Sequence, residues 1–143
     1  RGRVQVGKEV VVIGGQTTAL EAACLLAEQG KKVSVVGMRE VASRVNWFLR
    51  WALKERLIKN GVYLYPGTTL HSISERGVSV LDKRQMLFLK ADTVVLAAGS
   101  MSENELAKQM QGLVPDLYTI GDAIEPRDSM DAIHEGSKIG REI

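Results

Sequence analysis

A short β-branched run followed at once by two glycines and an Ala- and Leu-rich segment is the feature that most constrains this fold. Val10–Ile13 predicts a fully buried strand, Gly14-Gly15 a tight turn, and Thr17–Gln29 a helix. A second apolar run, Val33–Val36, completes a β-turn-α-β unit. Such units make right-handed crossovers between parallel strands, so the chain is predicted to build a parallel sheet with a helix on its face.

The rest of the chain continues this alternation and interrupts it once with short β-like runs separated by polar turns. The further predicted elements are a helix at 43–60, strands at 62–65, 69–73, 77–81, 86–89 and 92–97, a helix at 102–111, a strand at 117–120 and a helix at 129–142. We therefore predict an α/β fold: a Rossmann-like three-layer sandwich whose parallel sheet has the order 3-2-1-4-5. An antiparallel β-meander is inserted at one edge.

Composition excludes several classes of protein. With 143 residues, 45% hydrophobic and 25% charged, the chain is predicted to form one compact globular domain. A net charge of +2 with scattered basic residues argues against nucleic acid as a partner. No apolar run approaches the ~20 residues of a membrane span. The start Arg1-Gly2-Arg3 carries no signal sequence and no initiating Met, so we expect a cytoplasmic piece of a longer chain.

The only cysteine, Cys24, excludes an internal disulfide and a Cys-x-x-Cys pair, and it also excludes an iron–sulfur cluster held by cysteines of this chain. It lies in step with Leu20 and Ala23 on one face of the first predicted helix, which indicates an inert core residue. Redox chemistry must then come from a bound cofactor or from another segment.

The turn after the first strand resembles a dinucleotide-binding fingerprint, Gly-x-Gly-x-x-Gly/Ala. Gly14 supplies the tight turn and Ala19 the close helix packing, but Gln16 replaces the glycine that lets the backbone approach the pyrophosphate. Weakened, rearranged and lost binding are all compatible with that change. A nucleotide-domain turn that binds nothing is the alternative.

The end of the second strand carries the residues that would separate NAD from NADP. NAD-binding domains usually place an acid there for the ribose hydroxyls, whereas this chain has Gly37, followed by Arg39. Arg39 favours a 2′-phosphate and hence NADP. Glu40, taken as a displaced acid, would favour NAD, and a solvated role for Arg39 is also open.

Three ordered motifs together resemble the pyridine nucleotide-disulfide oxidoreductase superfamily. They are Val11–Glu21, Asp92–Gly99 and Leu117–Ala123, and they span most of the chain. Within it, the ending is most similar to the 2,4-dienoyl-CoA reductase, enoate reductase and trimethylamine dehydrogenase group. That resemblance implies an Old Yellow Enzyme-like barrel with FMN and an iron–sulfur cluster, followed by an FAD domain carrying an inserted NAD(P)-type domain. Residues 1–112 would be the NAD(P)-type domain, and 113–143 the last strand and helix of the FAD domain, packed on the same fold.

The residues of the chain show no Ser-His-Asp set, metal-ligand spacing or catalytic carboxylate pair, so we assign no catalytic or metal-binding residue. Carried over by position, the resemblance implies a set of cofactor contacts. They are Gly14, Gly15, Gln16, Thr17, Thr18 and Ala19 at the pyrophosphate, Glu21 near the nicotinamide–flavin junction, Ala98 and Gly99 beside the nucleotide, and Gly121 with Asp122 at the FAD. A helix-capping role is the alternative for Asp122.

The implied function is nucleotide binding within an FAD- and NAD(P)H-dependent oxidoreductase that reduces an enoate or dienoyl-CoA-like substrate. The isolated chain is not expected to complete that reaction. Trp47, Trp51 and Ile58 lie at helical spacing on a second face, which would meet a missing domain or a second copy in a homodimer. Ordinary core packing of a wide helix is the alternative for these three residues. The alternatives are a non-catalytic adenine-nucleotide-binding or structural domain with a degenerate phosphate loop, and a flavoprotein reductase without the barrel.

Overall fold

The computed structural model describes residues 4–43 and 45–143, which form two compact units divided between Ala98 and Gly99. Residues 1–3, on which the expectation about the start depends, and Arg44, within the predicted second helix, lie outside the described residues. The first unit contains β1 Glu9–Ile13, α1 Thr17–Glu28, β2 Lys32–Gly37, α2 Trp47–Lys59, β3 Tyr63–Pro66, β4 Thr68–Ser74, β5 Gly77–Asp82, β6 Gln85–Lys90 and β7 Thr93–Leu96. The second contains α3 Glu105–Met110, a 3₁₀ turn Gly121–Ala123 and α4 Ser129–Ile139.

The parallel sheet of the first unit has the order β3-β2-β1-β7, with every neighbouring pair parallel. Val11 at the centre of β1 pairs with Ser34 of β2 and Val94 of β7. The valine runs form these strands because residues buried on both faces favour β-branched side chains. The predicted order is confirmed for the first four parallel strands.

Side chains of β1 alternate between two separate cores, one on each face of the sheet. Val10 and Val12 pack with α1 and α2, whereas Val11 and Ile13 pack with the β4-β5-β6 meander. The meander therefore covers the second face of the sheet, and the expectation that it sits at one edge is wrong. Apolar side chains alternate along β5, and Val78 and Val80 on one side of the strand are buried. These side chains are buried because that side of the meander packs against the apolar face of the parallel sheet. The three-layer α/β prediction is confirmed, with a β layer in place of a second helical layer.

Helix α2 has its amino-terminal cap three residues later than the predicted cap, Ser43. It begins at Trp47, because Asn46 caps it by accepting a hydrogen bond from the Leu49 amide at 2.9 Å. Within α2 only Leu53 and Leu57 are buried. Phe48, expected on the core side, is 61% exposed. The apolar spacing of α2 thus predicted a wider buried face than the fold provides.

The predicted fifth parallel strand does not form. The parallel sheet contains four strands, and Leu117–Ile120 belongs to no strand in the described part of the chain. Leu117 is 41% and Tyr118 49% exposed. The apolar pattern marks a segment suited to a sheet, but a strand also requires a neighbour that supplies hydrogen-bond partners. The order 3-2-1-4-5 is therefore wrong at its last position.

Helix α4 of the second unit has a well-defined start. The Asp128 carboxylate accepts hydrogen bonds from the amides of Met130 and Asp131, and the Asp131 carboxylate accepts one from the Asp128 amide, which makes a capping box. The helix therefore begins at Ser129, as predicted, and ends at Ile139, three residues before the predicted end. Among the helices of residues 4–43 and 45–143, none combines the length and the apolar character needed to cross a bilayer.

The Asp92 carboxylate, just before β7, connects the amino ends of β1 and β7 through hydrogen bonds. Asp92 Oδ2 accepts hydrogen bonds from the amides of Lys8 and Glu9, both at 2.9 Å. These bonds, from Glu9 first and Lys8 second, hold the pKa of Asp92 below its ordinary value of 3.8. Lys90 and Lys32 likewise lower the pKa of Glu9, with Lys90 Nζ 2.8 Å from Glu9 Oε2.

Replacing Asp92 is expected to reduce the acid sensitivity of the fold. A carboxyl whose pKa is lower in the folded chain stabilises the fold above its unfolded pKa, and this contribution is lost as the pH falls through the folded value. The thermal midpoint of the parent chain should therefore fall more steeply than that of Asp92→Asn between about pH 5 and pH 2. Circular dichroism at several pH values measures this. Glu55→Gln, at an exposed carboxylate without an ion pair in the described residues, should keep the parent slope; parallel curves for Asp92→Asn and the parent would contradict the assignment.

The turn after β1 is packed too closely for a side chain at its first position. Gly14 has φ +140°, and a Cβ built there overlaps the Ala97 carbonyl oxygen and lies 3.1 Å from the Ala19 Cβ. The Gly14 amide donates to the Val36 carbonyl at 2.8 Å, and the Ala97 amide donates to the Ile13 carbonyl at 2.8 Å. The ends of β1, β2 and β7 are thereby held together at one point.

Gly14→Ala and Gly15→Ala should therefore differ strongly. The first substitution combines positive φ with backbone overlap and should lower the free energy of unfolding by about 3 kcal/mol or more. At Gly15 a Cβ would lie 3.5 Å from the nearest atom, Gly37 Cα, an ordinary contact, so a change within about 1 kcal/mol is expected. Urea unfolding of both variants makes the comparison, and equal losses would show that the turn does not depend on this close approach.

Candidate functional site

The amino terminus of α1, directly after β1 and its glycine turn, can receive an anion. The first turn of α1 contains no acidic residue, and the Gln16 side chain makes no capping hydrogen bond. The first backbone bond of the helix runs from the Leu20 amide to the Gln16 carbonyl at 3.1 Å, so the amides of Thr17, Thr18 and Ala19 precede it. Such amides, together with the helix dipole, suit a pyrophosphate. The turn therefore fits a dinucleotide, although it departs from the fingerprint at Gln16.

The Gln16 side chain is directed toward the loop after β2. Its Nε2 donates to Ser43 Oγ at 3.0 Å. The same loop is attached by the backbone as well, since the Ala42 amide donates to the Gly15 carbonyl at 2.7 Å. The departure from the fingerprint thus connects the phosphate turn to the segment that would meet the adenosine ribose.

The carboxyl end of β2 lies against the phosphate turn. Gly37 is buried, and a Cβ built on it would approach Gly15 Cα to 3.2 Å. Arg39 and Glu40 follow in exposed positions, where their side chains are accessible to a ligand. The structure thus brings Gly14 through Ala19 and the Arg39 segment to one end of the sheet.

Two residues that the sequence reasoning missed contact this segment. Arg50 Nη2 forms an ion pair with Glu40 Oε2, and Lys54 Nζ lies 3.3 Å from Glu40 Oε1. Both cations stand on α2, four residues apart and therefore on one face. That spacing was the available signal, but charged pairs at helical spacing are common on solvated faces, and nothing in the sequence connected them with Glu40.

The remaining expected contacts of the nicotinamide end occupy different elements. Glu21 is exposed on the second turn of α1. Ala98 is the last residue of the first unit, and Gly99, with φ +116°, is the first of the second unit. Glu21 and Ala98 are thus surface residues of the first unit, and Gly99 is described with the second.

In the second unit, Gly121 and Asp122 lie in a short 3₁₀ turn held by α4. Gly121, with φ +63°, donates its amide to Glu135 Oε2 at 2.6 Å, and Arg127 forms an ion pair with Glu135 Oε1. Arg127 and then the Gly121 amide hold the pKa of Glu135 below its ordinary value. The Gly121 amide is thereby occupied, whereas Asp122 is exposed and can accept hydrogen bonds from ligand hydroxyls.

Comparison with known proteins supports the resemblance drawn from the three motifs. The chain is 34% identical to the metal reductase of Desulforamulus reducens, covering 94% of this chain and 25% of the relative. It is 35% identical to the NADH oxidase of Thermoanaerobacter brockii, covering 99% and 23%. A structure of 2-naphthoyl-CoA reductase in complex with 2-naphthoyl-CoA superposes with a TM-score of 0.88 at 31% identity, covering 98% of this chain and 22% of that one.

This chain therefore spans about a quarter of the length of these relatives. The family model for pyridine nucleotide-disulphide oxidoreductases matches residues 2–140. That match includes β1 with its glycine turn, the Asp92–Gly99 segment and the Gly121–Asp122 turn. The chain belongs to the pyridine nucleotide-disulphide oxidoreductase family.

Proposed function

We propose that this chain binds the pyridine nucleotide of a flavin-dependent oxidoreductase and holds it for passage of reducing equivalents from NAD(P)H to FAD. The observation that carries the proposal is the phosphate turn: β1 ends at Gly14, and the uncapped amides of α1 follow. Such a turn at the carboxyl end of a parallel strand is a typical dinucleotide site. The reductases and the oxidase to which the chain is similar support this interpretation.

The residues of the turn have distinct roles in the proposal. Gly14 permits the close strand packing, Gly15 leaves room beside Gly37, and the amides of Thr17, Thr18 and Ala19 donate to the pyrophosphate. Further out in the first unit, Glu21 and Ala98 border the nicotinamide half. The chain's contribution is to bind and orient the coenzyme, which supplies the hydride chemistry when bound.

FAD would meet the second unit through Asp122. Its exposed carboxylate accepts a hydrogen bond from a ribityl hydroxyl, while Glu135 and Arg127 hold the turn that presents it. We propose that residues 113–143 belong to the FAD-binding half and residues 1–112 to the NAD(P)-binding half. The boundary between the two compact units lies earlier, at Ala98–Gly99, so that α3 belongs to the second unit.

The whole protein would then be several times longer than this chain. The relatives' lengths support further domains in the same polypeptide. By the resemblance of the motifs, these would be the rest of an FAD domain and a barrel with FMN and an iron–sulfur cluster. An unsaturated acid or acyl-CoA is the proposed substrate class, supported by the similarity to 2-naphthoyl-CoA reductase. Trp47 and Trp51, which are 80% and 57% exposed, would face one of those domains or a second copy of the chain.

One observation favours a second candidate function. Gln16 takes the place of the fingerprint glycine and is tied to Ser43, which would suit a domain that retains the fold and has lost coenzyme binding. The second candidate is therefore a non-catalytic adenine-nucleotide-binding or structural domain.

Binding of NADH and NADPH to the chain separates the two candidates. Without the flavin domain and with Gln16 in the turn, we expect dissociation constants above roughly 100 μM, or less than about 5.5 kcal/mol of binding. Thr18→Glu places a carboxylate among the amides of α1 without disfavouring the helix, and should weaken binding about 10-fold or more. Thr69→Glu, on the exposed side of β4, is the matched control. Calorimetry that detects no binding at millimolar coenzyme, or equal binding by Thr18→Glu and the parent, contradicts the proposal.

Gln16→Gly tests the steric role of the departure. If the side chain crowds the pyrophosphate, its removal should strengthen coenzyme binding by about 1 kcal/mol, roughly 5-fold. Ser43→Ala serves as control because it removes the hydrogen bond from Gln16 Nε2 but leaves the side chain in the turn. Unchanged or weaker binding by Gln16→Gly would mean that Gln16 is neutral or is itself a ligand.

A further inference from the structure

The outer side of α2 carries an apolar surface that the rest of the described chain leaves uncovered. Trp47, Phe48, Trp51 and Ile58, here called the aromatic surface, are 80%, 61%, 57% and 62% exposed. The two buried residues of the helix lie elsewhere on it. Contiguous exposed apolar patches on soluble proteins mark interaction sites. None of these four side chains belongs to the proposed coenzyme site, so the aromatic surface requires a partner of its own.

The aromatic surface is one continuous stripe. Trp47, Trp51 and Ile58 recur at helical spacing and span about 16 Å along α2. Phe48 connects the two tryptophans, because its ring centroid lies 5.9 Å from that of Trp47, edge to face, and 6.3 Å from that of Trp51. These contacts hold the rings in place before a partner binds, which reduces the entropy lost on association.

The size of the aromatic surface matches the apolar part of a stable dimer interface. An aromatic side chain presents roughly 150–250 Å², so the three rings at their observed exposures offer roughly 300–450 Å². A standard interface takes about 800 Å² from each partner, a little over half of it apolar. The three rings together with Ile58 supply about that apolar share. The remaining area would come from the charged side chains beside the stripe.

The charges of the same stripe suit a second copy of the chain better than a bilayer. Glu55 lies one helical turn from both Trp51 and Ile58, and Lys59 follows at the carboxyl end of α2. Both are exposed, and neither forms an ion pair with any residue of 4–43 or 45–143. An anionic bilayer would repel Glu55 in the middle of the stripe. A protein surface that offers both signs of charge can pair with both residues.

A second α2 helix in antiparallel orientation offers such a surface. Under a two-fold axis through the midpoint of the stripe, Trp47 lies level with Ile58 of the second copy. Trp51 then lies level with Lys54 of the second copy, and an ammonium suits the face of an indole ring. Glu55 likewise comes level with Arg50 of the second copy. The stripe is therefore complementary to itself in both apolar and charged groups.

We propose that this chain associates with a second copy of itself through the aromatic surface, with the two α2 helices antiparallel about a two-fold axis. The association goes beyond coenzyme binding and does not depend on it, because Gly14 to Ala19 lie outside the aromatic surface. Another domain of the same polypeptide and an anionic bilayer are the rival occupants. The three occupants differ in what they do to the mass and the fluorescence of the chain.

Sedimentation and intrinsic fluorescence of the chain test the association together. Both tryptophans of the chain belong to the aromatic surface, so tryptophan emission reports on this surface alone. Between about 1 μM and about 500 μM we expect the mass to double, with a dissociation constant of roughly 10–100 μM. The emission should shift to the blue over the same concentrations, because the indole rings leave water as the dimer forms.

Three variants locate the contact. Trp51→Glu places a charge in the middle of the aromatic surface and should weaken association about 10-fold or more, while Trp47 remains as the reporter. Phe88→Glu on β6 is the matched control, since its ring is 55% exposed, and it should change the affinity less than about 2-fold. Ile133→Glu on α4 is the control for the exposed apolar side chains of the second unit. Circular dichroism of each variant ensures that a loss of association is not a loss of fold.

Three outcomes would overturn the proposal. A chain that stays monomeric up to about 500 μM leaves the aromatic surface to another domain of the polypeptide. Doubling of the mass without a shift in emission, or doubling that Phe88→Glu or Ile133→Glu abolishes and Trp51→Glu does not, places the contact on a different surface. A blue shift on phosphatidylserine vesicles by a chain that is monomeric in solution identifies a bilayer as the occupant. Binding of NADH and NADPH is measured separately, so each of these outcomes leaves the proposed function intact.

Discussion

The close approach of Gly14 to the end of β7 is the contact on which the rest of the structure depends. Three parallel strands finish at this point, and the chain leaves β1 with a positive φ that points it toward α1. Because no Cβ stands between Gly14 and Ala97, the helix can start directly above the strand ends. Three features then lie at one end of the sheet: the first-turn amides of α1, the loop after β2 and the end of β7. The site is a consequence of how tightly the sheet closes there.

Much of the fold followed from apolar runs and turn residues. The four parallel strands, both helices of the first unit and the meander could be predicted because each has a local signal: valines, glycines and helical spacing. The fifth strand could not, since Leu117–Ile120 has the right pattern while no described strand pairs with it. The width of the buried face of α2 could not be predicted either. The spacing shows that Phe48 lies on the apolar side of the helix, but it does not show whether another element covers it, and Phe48 is exposed. The local sequence pattern shows which secondary structure a segment can adopt. Whether the segment pairs or becomes buried depends on the elements that pack against it.

The candidate site divides in the same way. The phosphate turn is contiguous in sequence and could be recognised from its spacing. The ion pairs of Glu40 with Arg50 and Lys54 connect a loop to a helix ten and fourteen residues further on. The bond from Gly121 to Glu135 crosses a similar distance. In both cases an acid that sequence alone would assign to a ligand or to solvent is occupied by the protein, and only the three-dimensional placement shows it.

Cys24 gives the first unit a reporter of its own motion. It is the only thiol of the chain, 1% exposed on the inner face of α1, and burial raises its pKa, so little thiolate is present while the helix stays packed. A thiol reagent can react only when the core packing around Cys24 opens. Because the phosphate turn leads into the same helix, the rate of labelling measures how often the packing around this helix opens, and a ligand bound at the turn would lower that rate.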